Sequence, residues 1–579
     1  MFPCAFEPLE HQVNHINNII NAFNEHFGVI DISLMGNGKT YTTTYLSCLL
    51  ELPMLIICPS ALIKVWEGME KMGAQTFGIY TYNGLGGQSN HKYTFPFLTR
   101  KVETINEKKY VSFHPSARLL QLIDQGVLIV MDETSKIKNK NSLSTNAVQA
   151  IVDAIVTSDT RSRLISLSAT LYDKEEFKTN TLRNLGYTSE SSLSTYDVGT
   201  GLHDPKGLLQ VIDVCERYNR RETQVVLARH QSIGKKTKVN AANTIAGELF
   251  IEVMKPLMVF AMPNPILARD FYTLYGNMSK LEFGRYSIAV QNLAELLLFN
   301  DANDQIREKL GKGTLQKLAL IMRDLEHSKV GIMAREAYKT LMTDPNAKVI
   351  VNFNYTTTLP MFLERFGSFG TGIVPAMLHG KIKQSKRDEA ITQFQAPNNY
   401  LRMIVATIGT GSMGISLHDL DGRFPRTTYM MPSWSIQNLH QASGRTARSG
   451  AKSIATVAMV YGKRCDQAVG EVTVKEQRIL DALARKEGIL KQLAEGVATG
   501  DSVLFPNEYP VRDEPTEPGL LNDETKYYND IGINGLTSKD MEEIKSGRSS
   551  YVPLKGEDDP LIMSNGVVIN EGDEEEEED

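Results

Sequence analysis

The sequence predicts an α/β protein with two tandem parallel-sheet domains, a largely helical insertion between them, and an acidic C-terminal tail without stable order. Three observations carry this. Short apolar runs bounded by polar or glycine-containing segments occur at Met54–Cys58, 127–131 and Arg163–Leu167, and again at 348–352, 402–407 and 456–460. Helix-compatible stretches separate them, so strand and helix alternate as in βαβ units. Between the two groups strand signals are sparse, and residues 268–299 and 315–342 read as helical. The divisions expected are 1–180 for the first unit, 181–340 for the insertion, 341–500 for the second unit and 501–579 for the tail.

Composition agrees with several folded domains. A chain of 579 residues exceeds one ordinary domain. With 42% hydrophobic and 22% charged residues it is neither disordered nor fibrous. The net charge of −6 is concentrated in the terminal run EGDEEEEED, whose eight acidic groups leave the remainder at +2. Such a body is compatible with nucleic-acid binding, which depends on local basic strips. Cys4, Cys48, Cys58, Cys215 and Cys465 form no CxxC pair, which fits a reducing interior and argues against a disulfide framework or a zinc site. The first residues lack the basic and apolar regions of a signal peptide, and no apolar run reaches the ~18 residues of a membrane helix. A soluble intracellular protein with no membrane partner is expected. Residues 476–495 carry a helical apolar face, and beyond Asp501 the chain turns Pro- and acid-rich.

The first chemical signal is LMGNGKTYTTTYL, Leu34 to Leu46. Gly36 and Gly38 let the backbone approach a polyphosphate, with the N–H of Asn37 and its neighbours turned inward. Lys39 supplies charge for the β and γ phosphates, and Thr40 a hydroxyl for Mg²⁺. The helix that follows adds its N-terminal dipole. Ser33 stands where a strict Walker motif has glycine, so in isolation the segment also reads as a Gly-rich turn before a helix. The second signal is Asp132-Glu133 at the end of an apolar strand, 93 residues after Lys39. One carboxylate there holds Mg²⁺ and its neighbour orients or deprotonates the attacking water, which assigns Asp132 to the metal and Glu133 to the water. Out of context such a pair is an ordinary solvated turn. Its place downstream of the phosphate loop favours the functional role.

From here the chain resembles superfamily-two helicases, and within them the Swi/Snf-type translocases and the helicases of large DNA viruses and phages. Pro8-Leu-Glu-His-Gln12 resembles the upstream element whose glutamine reads adenine, here Gln12. Leu55-Ile-Ile-Cys-Pro-Ser60, followed by Trp66, resembles the motif that contacts the tracked strand. Asp132-Glu-Thr-Ser-Lys-Ile-Lys-Asn139 is similar to the Swi/Snf acidic box, and Ser168-Ala-Thr170 to the motif coupling hydrolysis to movement. In the second unit, 349–353 with Leu378-His-Gly380, the glycine-rich 406–417, and Gln441-Ala-Ser-Gly-Arg-Thr-Ala-Arg448 follow in the family's order. The box reads DETS, Ser33 and Leu34 replace acidic residues common in the Swi/Snf phosphate loop, and Ser412 replaces a common glycine. These departures leave subgroup and directionality open.

The resemblance implies two RecA-like domains using Mg²⁺ and ATP. Gln12, Gly411 and Gly414 join the phosphate-loop residues as nucleotide contacts. Arg445 and Arg448 are the guanidinium groups expected to reach the γ-phosphate, where they stabilise developing charge. Gln441 positions water or phosphate. Ser60, Lys64, His379 and Thr407 are expected on the nucleic-acid backbone, with DNA favoured over RNA. The central basic groups Arg217, Arg220, Arg221, Lys235, Lys236 and Lys238, around Tyr218, either extend that track or form a solvated face. The acidic tail either takes a basic protein partner or only solubilises. The function expected is an ATP-dependent nucleic-acid translocase or helicase, acting in viral transcription or replication. The alternative is an ATP-gated nucleic-acid-binding subunit without productive unwinding.

Overall fold

The computed structural model describes residues 6–464, except 35, 88–93, 106–107, 138–141, 159, 169–177, 231–232, 235–236, 263–269, 279, 302–311, 412–414, 434–435 and 449, together with 511–513. These residues fall into two compact units, one of residues 6–262 and one of 270–464 with 511–513.

In chain order the first unit contains α1 (Glu10–Glu25), β1 (Gly28–Asp31), α2 (Lys39–Leu50), β2 (Met54–Cys58), α3 (Ile63–Lys71), β3 (Thr76–Thr81), α4 (Tyr82–Gly86), β4 (Leu98–Ile105), β5 (Lys108–Pro115), α5 (Ala117–Gln125), β6 (Leu128–Asp132), α6 (Leu143–Val156) and β7 (Arg163–Leu167). There follow α7 (Lys178–Asn184), β8 (Thr195–Asp197), β9 (Leu202–Asp204), α8 (Lys206–Leu227), α9 (Val239–Glu248), α10 (Lys255–Met258) and β10 (Val259–Phe260). Six strands form a parallel sheet in the order β10-β1-β7-β6-β2-β3. Both faces are covered, so its strands read as continuous apolar runs rather than alternations. Leu55, Ile57, Ile129 and Met131 pack into one core with Ile151 and Ile155 of α6. The intervening Ile56, Cys58, Leu128 and Val130 pack on the other face with Ile16 and Ile19 of α1 and Trp66 of α3. That alternation follows from the two-residue period of a strand.

The second unit contains β11 (Asp270–Met278), α11 (Lys280–Asp301), α12 (Lys312–His327), α13 (Val330–Thr343), β12 (Lys348–Phe353), α14 (Thr358–Gly367), β13 (Ala376–Leu378), α15 (Gln384–Gln395), β14 (Met403–Thr407), α16 (Ile408–Gly411), β15 (Arg426–Met430), α17 (Ile436–Ser443), β16 (Thr456–Arg464) and β17 (Val511–Asp513). Its strands also run parallel, in the order β13-β14-β12-β15-β16-β11-β17. Two parallel-sheet α/β units are thus present, and all six strands expected from the sequence lie in these sheets.

The structure corrects one expectation. Residues 270–278, inside a stretch read as helical, form β11, which pairs with β16 from Asp270↔Thr456 to Met278↔Arg464. Phe271, Tyr272, Leu274 and Tyr275 are buried, so a covered parallel strand replaces the helix. Such a strand lacks the alternation that distinguishes half-exposed strands from helices. Downstream, 315–342 is helical as expected, as α12 and α13. The 476–495 helix and the acidic tail lie outside the described residues.

Candidate nucleotide and nucleic-acid site

In the first unit the functional side chains gather at the carboxyl edge of the sheet, where the loops of an open α/β domain gather ligands. β1 ends on Asp31 and leads into the phosphate loop. β6 ends on Asp132, and the strand between them, β7, ends beside both, pairing Leu167 with Asp31 and with Asp132. Ser168, the first residue of the coupling motif, donates its N–H to the Asp31 carbonyl at 3.1 Å. Ala169 and Thr170 lie outside the described residues.

The phosphate loop is shaped by two left-handed glycines, Gly36 at φ +88° and Gly38 at φ +91°. At Gly38 a Cβ would lie 2.5 Å from Gln12 Nε2, so that position is closed to side chains on two counts. Gln12 itself is buried and bridges the loop to α1. Its Nε2 donates to the Asn37 carbonyl at 3.0 Å, and its Oε1 accepts from Leu9 N at 3.0 Å. The Lys39 ammonium donates to the carbonyls of Ser33 at 2.7 Å and Leu34 at 3.3 Å, which keeps the charge inside the loop. Lys39 and Thr40 open α2, whose first-turn N–H groups have no partner within the helix, as an anion requires.

Beneath the loop lies a pair that the sequence did not announce. His15 of α1 and Asp31 of β1, both buried, meet at 3.0 Å between Nε2 and Oδ2, and Asp31 Oδ1 accepts from Ser33 N at 2.8 Å. Burial alone would raise the Asp31 pKa. His15, Lys39 and Ser33 together outweigh it and hold the carboxyl below the ordinary range. Ser33, where the family often has an acid, instead accepts on its Oγ from Met262 N at 2.7 Å.

Asp132 is buried and held from two sides. Trp66 Nε1 donates to its Oδ2 at 3.0 Å, and the Tyr82 hydroxyl donates to its carbonyl at 2.8 Å. Burial and the neighbouring Glu133 push its pKa up to about 7, against the pull of Lys39, Trp66 and the Glu133 backbone. Glu133 is held at φ +55°, uncommon for a residue with a side chain and typical of strained functional positions. The expectation for the Ser60 segment therefore divides. Ser60 and Lys64 are exposed at the end of β2 and on α3, whereas Trp66 is fully buried and serves Asp132.

In the second unit, Thr407 ends β14 with its side chain buried, and His379 follows β13 half-buried. Gly411 closes α16, while Gly414 lies outside the described residues. Gln441 is buried on α17. The two arginines differ. Arg445 is 3% exposed, and its Nη1 donates to the Ile415 carbonyl at 3.1 Å. Arg448 is half-buried, and its charge, after burial, helps lower the His418 pKa to about 4. Of the central basic groups, Arg217 pairs with Asp213 at 2.8 Å and Tyr218 packs on His26. Lys235 and Lys236 lie outside the described residues.

The family profile of the helicase conserved C-terminal domain matches residues 333–450, which include the arginine motif. A protein of Acanthamoeba polyphaga mimivirus named "Putative ATP-dependent RNA helicase" is 24% identical over 449 residues, 76% of this chain and 77% of the relative. The chain carries a helicase conserved C-terminal domain, and its motifs are Swi/Snf-like. The chain is also 26% identical over 267 residues to Switch 2 of Arabidopsis thaliana, a match covering 40% of this chain and 29% of that protein. Among solved structures, the Sulfolobus solfataricus SWI2/SNF2 ATPase core in complex with dsDNA aligns over 85% of this chain and 98% of that chain, at 15% identity and a TM-score of 0.30. Among the described residues no helix is long and apolar enough to cross a membrane.

Proposed function

We propose that this helicase hydrolyses Mg²⁺-bound ATP to move along DNA, in the transcription or replication of a large DNA virus. The observation that carries the catalytic part is the convergence of the glycine loop, Lys39, Asp132 and Glu133 on one edge of the first sheet. The mimivirus relative supports the viral setting, and the Swi/Snf-like acidic box supports DNA.

The donor set fits the metal. The Thr40 hydroxyl and the buried Asp132 carboxylate are the hard oxygens that Mg²⁺ takes, and a cation relieves the burial that disfavours the Asp132 charge. When bound, Mg²⁺ neutralises charge on the β and γ oxygens. The chain's own groups do the rest. The loop N–H groups and Lys39 bind the phosphates, and Gln12 fixes the loop against α1. Trp66 orients Asp132. Glu133 aligns the attacking water and takes its proton. Gln441, Arg445 and Arg448 answer the γ-phosphate. Ser60, Lys64, His379 and the Thr407 backbone hold the nucleic-acid strand.

The test is ATP hydrolysis with and without single-stranded DNA, duplex DNA and RNA, beside Glu133→Gln. Low basal turnover, stimulation by DNA, and a mutant that binds ATP but turns over about a thousandfold more slowly are expected. Stimulation by RNA alone would replace DNA as the track. A rate that no nucleic acid changes would leave an ATP-gated subunit.

A further inference from the structure

The first unit buries one titratable pair that the proposed mechanism does not use. Asp31 is the last residue of β1, which lies between β10 and β7, and it is fully buried. Two residues before it, on the same face of the strand, Val29 packs in the core that holds Ile16 and Ile19 of α1. An apolar residue at position 31 would continue that contact. Instead a carboxylate faces His15, itself 3% exposed. A carboxylate only accepts, so the imidazole Nε2 donates to Asp31 Oδ2 across 3.0 Å.

Such a pair carries a desolvation cost that an apolar contact does not, so stability alone gives little reason for it. What it supplies is direction. Apolar packing lets a helix shift along a sheet, whereas a buried hydrogen bond is satisfied only at one distance and angle.

The position so fixed is the one Gln12 needs. Gln12, His15, Ile16 and Ile19 form the buried face of α1, with Gln12 one turn before His15. A glutamine amide has two donor hydrogens and two acceptor positions. In Gln12 one donor goes to the Asn37 carbonyl and one acceptor position takes the Leu9 N–H, both at 3.0 Å. One donor and one acceptor position are left, the set that pairs with N7 and N6 of adenine. Guanine carries an oxygen in place of N6, which would set acceptor against acceptor. The phosphate loop is tied to the same pair from the other side. Asp31 Oδ1 accepts the Ser33 N–H at 2.8 Å, and the Ser33 carbonyl accepts from the Lys39 ammonium. His15 and Asp31 thus link the amide that would meet the base to the lysine that would meet the phosphates.

We infer that the His15–Asp31 pair holds α1 in register with the phosphate loop and thereby sets the preference for adenine over guanine nucleotides. Both are positioning residues, acting through Gln12 and Ser33. The inference rests on the reading of Gln12 as the adenine contact.

The test measures ADP and GDP affinity of the full-length protein by titration calorimetry, beside its melting temperature. Gln12→Ala is the control for the base contact. His15→Asn keeps a polar side chain whose amide stops short of Asp31, and His15→Gln carries the amide to where Nε2 stood. H15L/D31V removes both partners, so no unpaired charge stays buried. The unaltered protein should prefer ADP, and Gln12→Ala should lower the ratio of the two affinities. His15→Asn should lower that ratio about fivefold, near the worth of one hydrogen bond, and the melting temperature by about 5 °C. H15L/D31V should regain the melting temperature but not the ratio. His15→Gln should keep both. An H15L/D31V ratio equal to that of the unaltered protein overturns the inference and leaves Gln12 as read, because the pair then only holds the fold. If H15L/D31V does not fold, an unchanged ratio in His15→Asn overturns it equally. So does a loss of ADP and GDP affinity in the same proportion. If Gln12→Ala leaves the ratio unchanged, Gln12 does not read the base, and the inference falls with that reading.

Discussion

The segments read as catalytic bury charge of opposite sign in the two units. At its functional edge the first unit encloses carboxylates, Asp31 and Asp132, each met by donors from elements distant in sequence. The second encloses cations beside the buried carboxylates of Glu326 and Asp419. Arg445 is bonded to a loop carbonyl, and Lys348 donates to the carbonyls of Phe394 and Ala396 at 2.7 and 2.8 Å while lying over the Phe394 and Phe424 rings. A buried charge holds its place only when its partners are fixed, because losing a partner leaves the desolvation cost standing. The difference suits a division of labour. In the function proposed above, carboxylates serve a metal and a water, whereas guanidinium groups serve a phosphate.

The widest separation is expected between the two arginines. Arg448→Ala should lower kcat by a hundredfold or more with the melting temperature unchanged, since Arg448 is half-buried. Arg445→Ala should lower both, because it also strips the Ile415 carbonyl of its donor. Steady-state kinetics beside calorimetry tells them apart. Equal melting temperatures in the two variants would erase the distinction.

Next in size is the hold on Asp132. Trp66→Phe removes the indole N–H and keeps an aromatic ring, so kcat should fall about tenfold, as when an outer partner of a metal ligand is lost. The Mg²⁺ concentration for half-maximal rate should rise. A variant that loses stability but keeps its Mg²⁺ dependence would make Trp66 a packing residue only. Gly38→Ala should act on the loop itself. It meets Gln12 and a left-handed φ, costing roughly 1 to 2 kcal/mol. ATP affinity, read by titration calorimetry, should fall about tenfold.

The smallest expected effect separates the units by pH. Burial, followed by the charges of Arg448 and Arg426, lowers the His418 pKa to about 4, and burial, followed by Arg323 and Arg285, lowers that of His327 to about 3. The unfolded chain takes up protons near pH 6.5 that the folded second unit refuses. This contribution is present above pH 6.5 and is lost as the pH falls toward 4. In the first unit Asp31, held low, keeps its contribution until the pH drops below the ordinary carboxylate range. Hydrogen exchange at pH 7 and 5 should show opening of the second unit growing more, and His418→Gln with His327→Gln should flatten the response.

Much of this was legible in the chain. The runs at Met54–Cys58 and Arg163–Leu167 match strands residue for residue, and the glycine loop and the acidic pair stand where loops leave parallel strands, while the arginine motif begins on α17. Those signals are local, since a buried strand needs consecutive apolar residues and a phosphate loop needs glycines a fixed distance from a lysine. The strand at Asp270–Met278 escaped because a fully covered parallel strand has no polar alternation to mark it.

The sequence by itself therefore determined the two sheets and the order of the motifs along them. Tertiary structure alone decided that His15 faces Asp31, that Trp66 serves Asp132 instead of facing solvent, and that Arg445 is enclosed while Arg448 is half open. Each of these joins or encloses groups brought together from separate elements. No spacing or period along the chain encodes such a meeting, because it is fixed only when the sheet sets its strand order and the helices choose their faces.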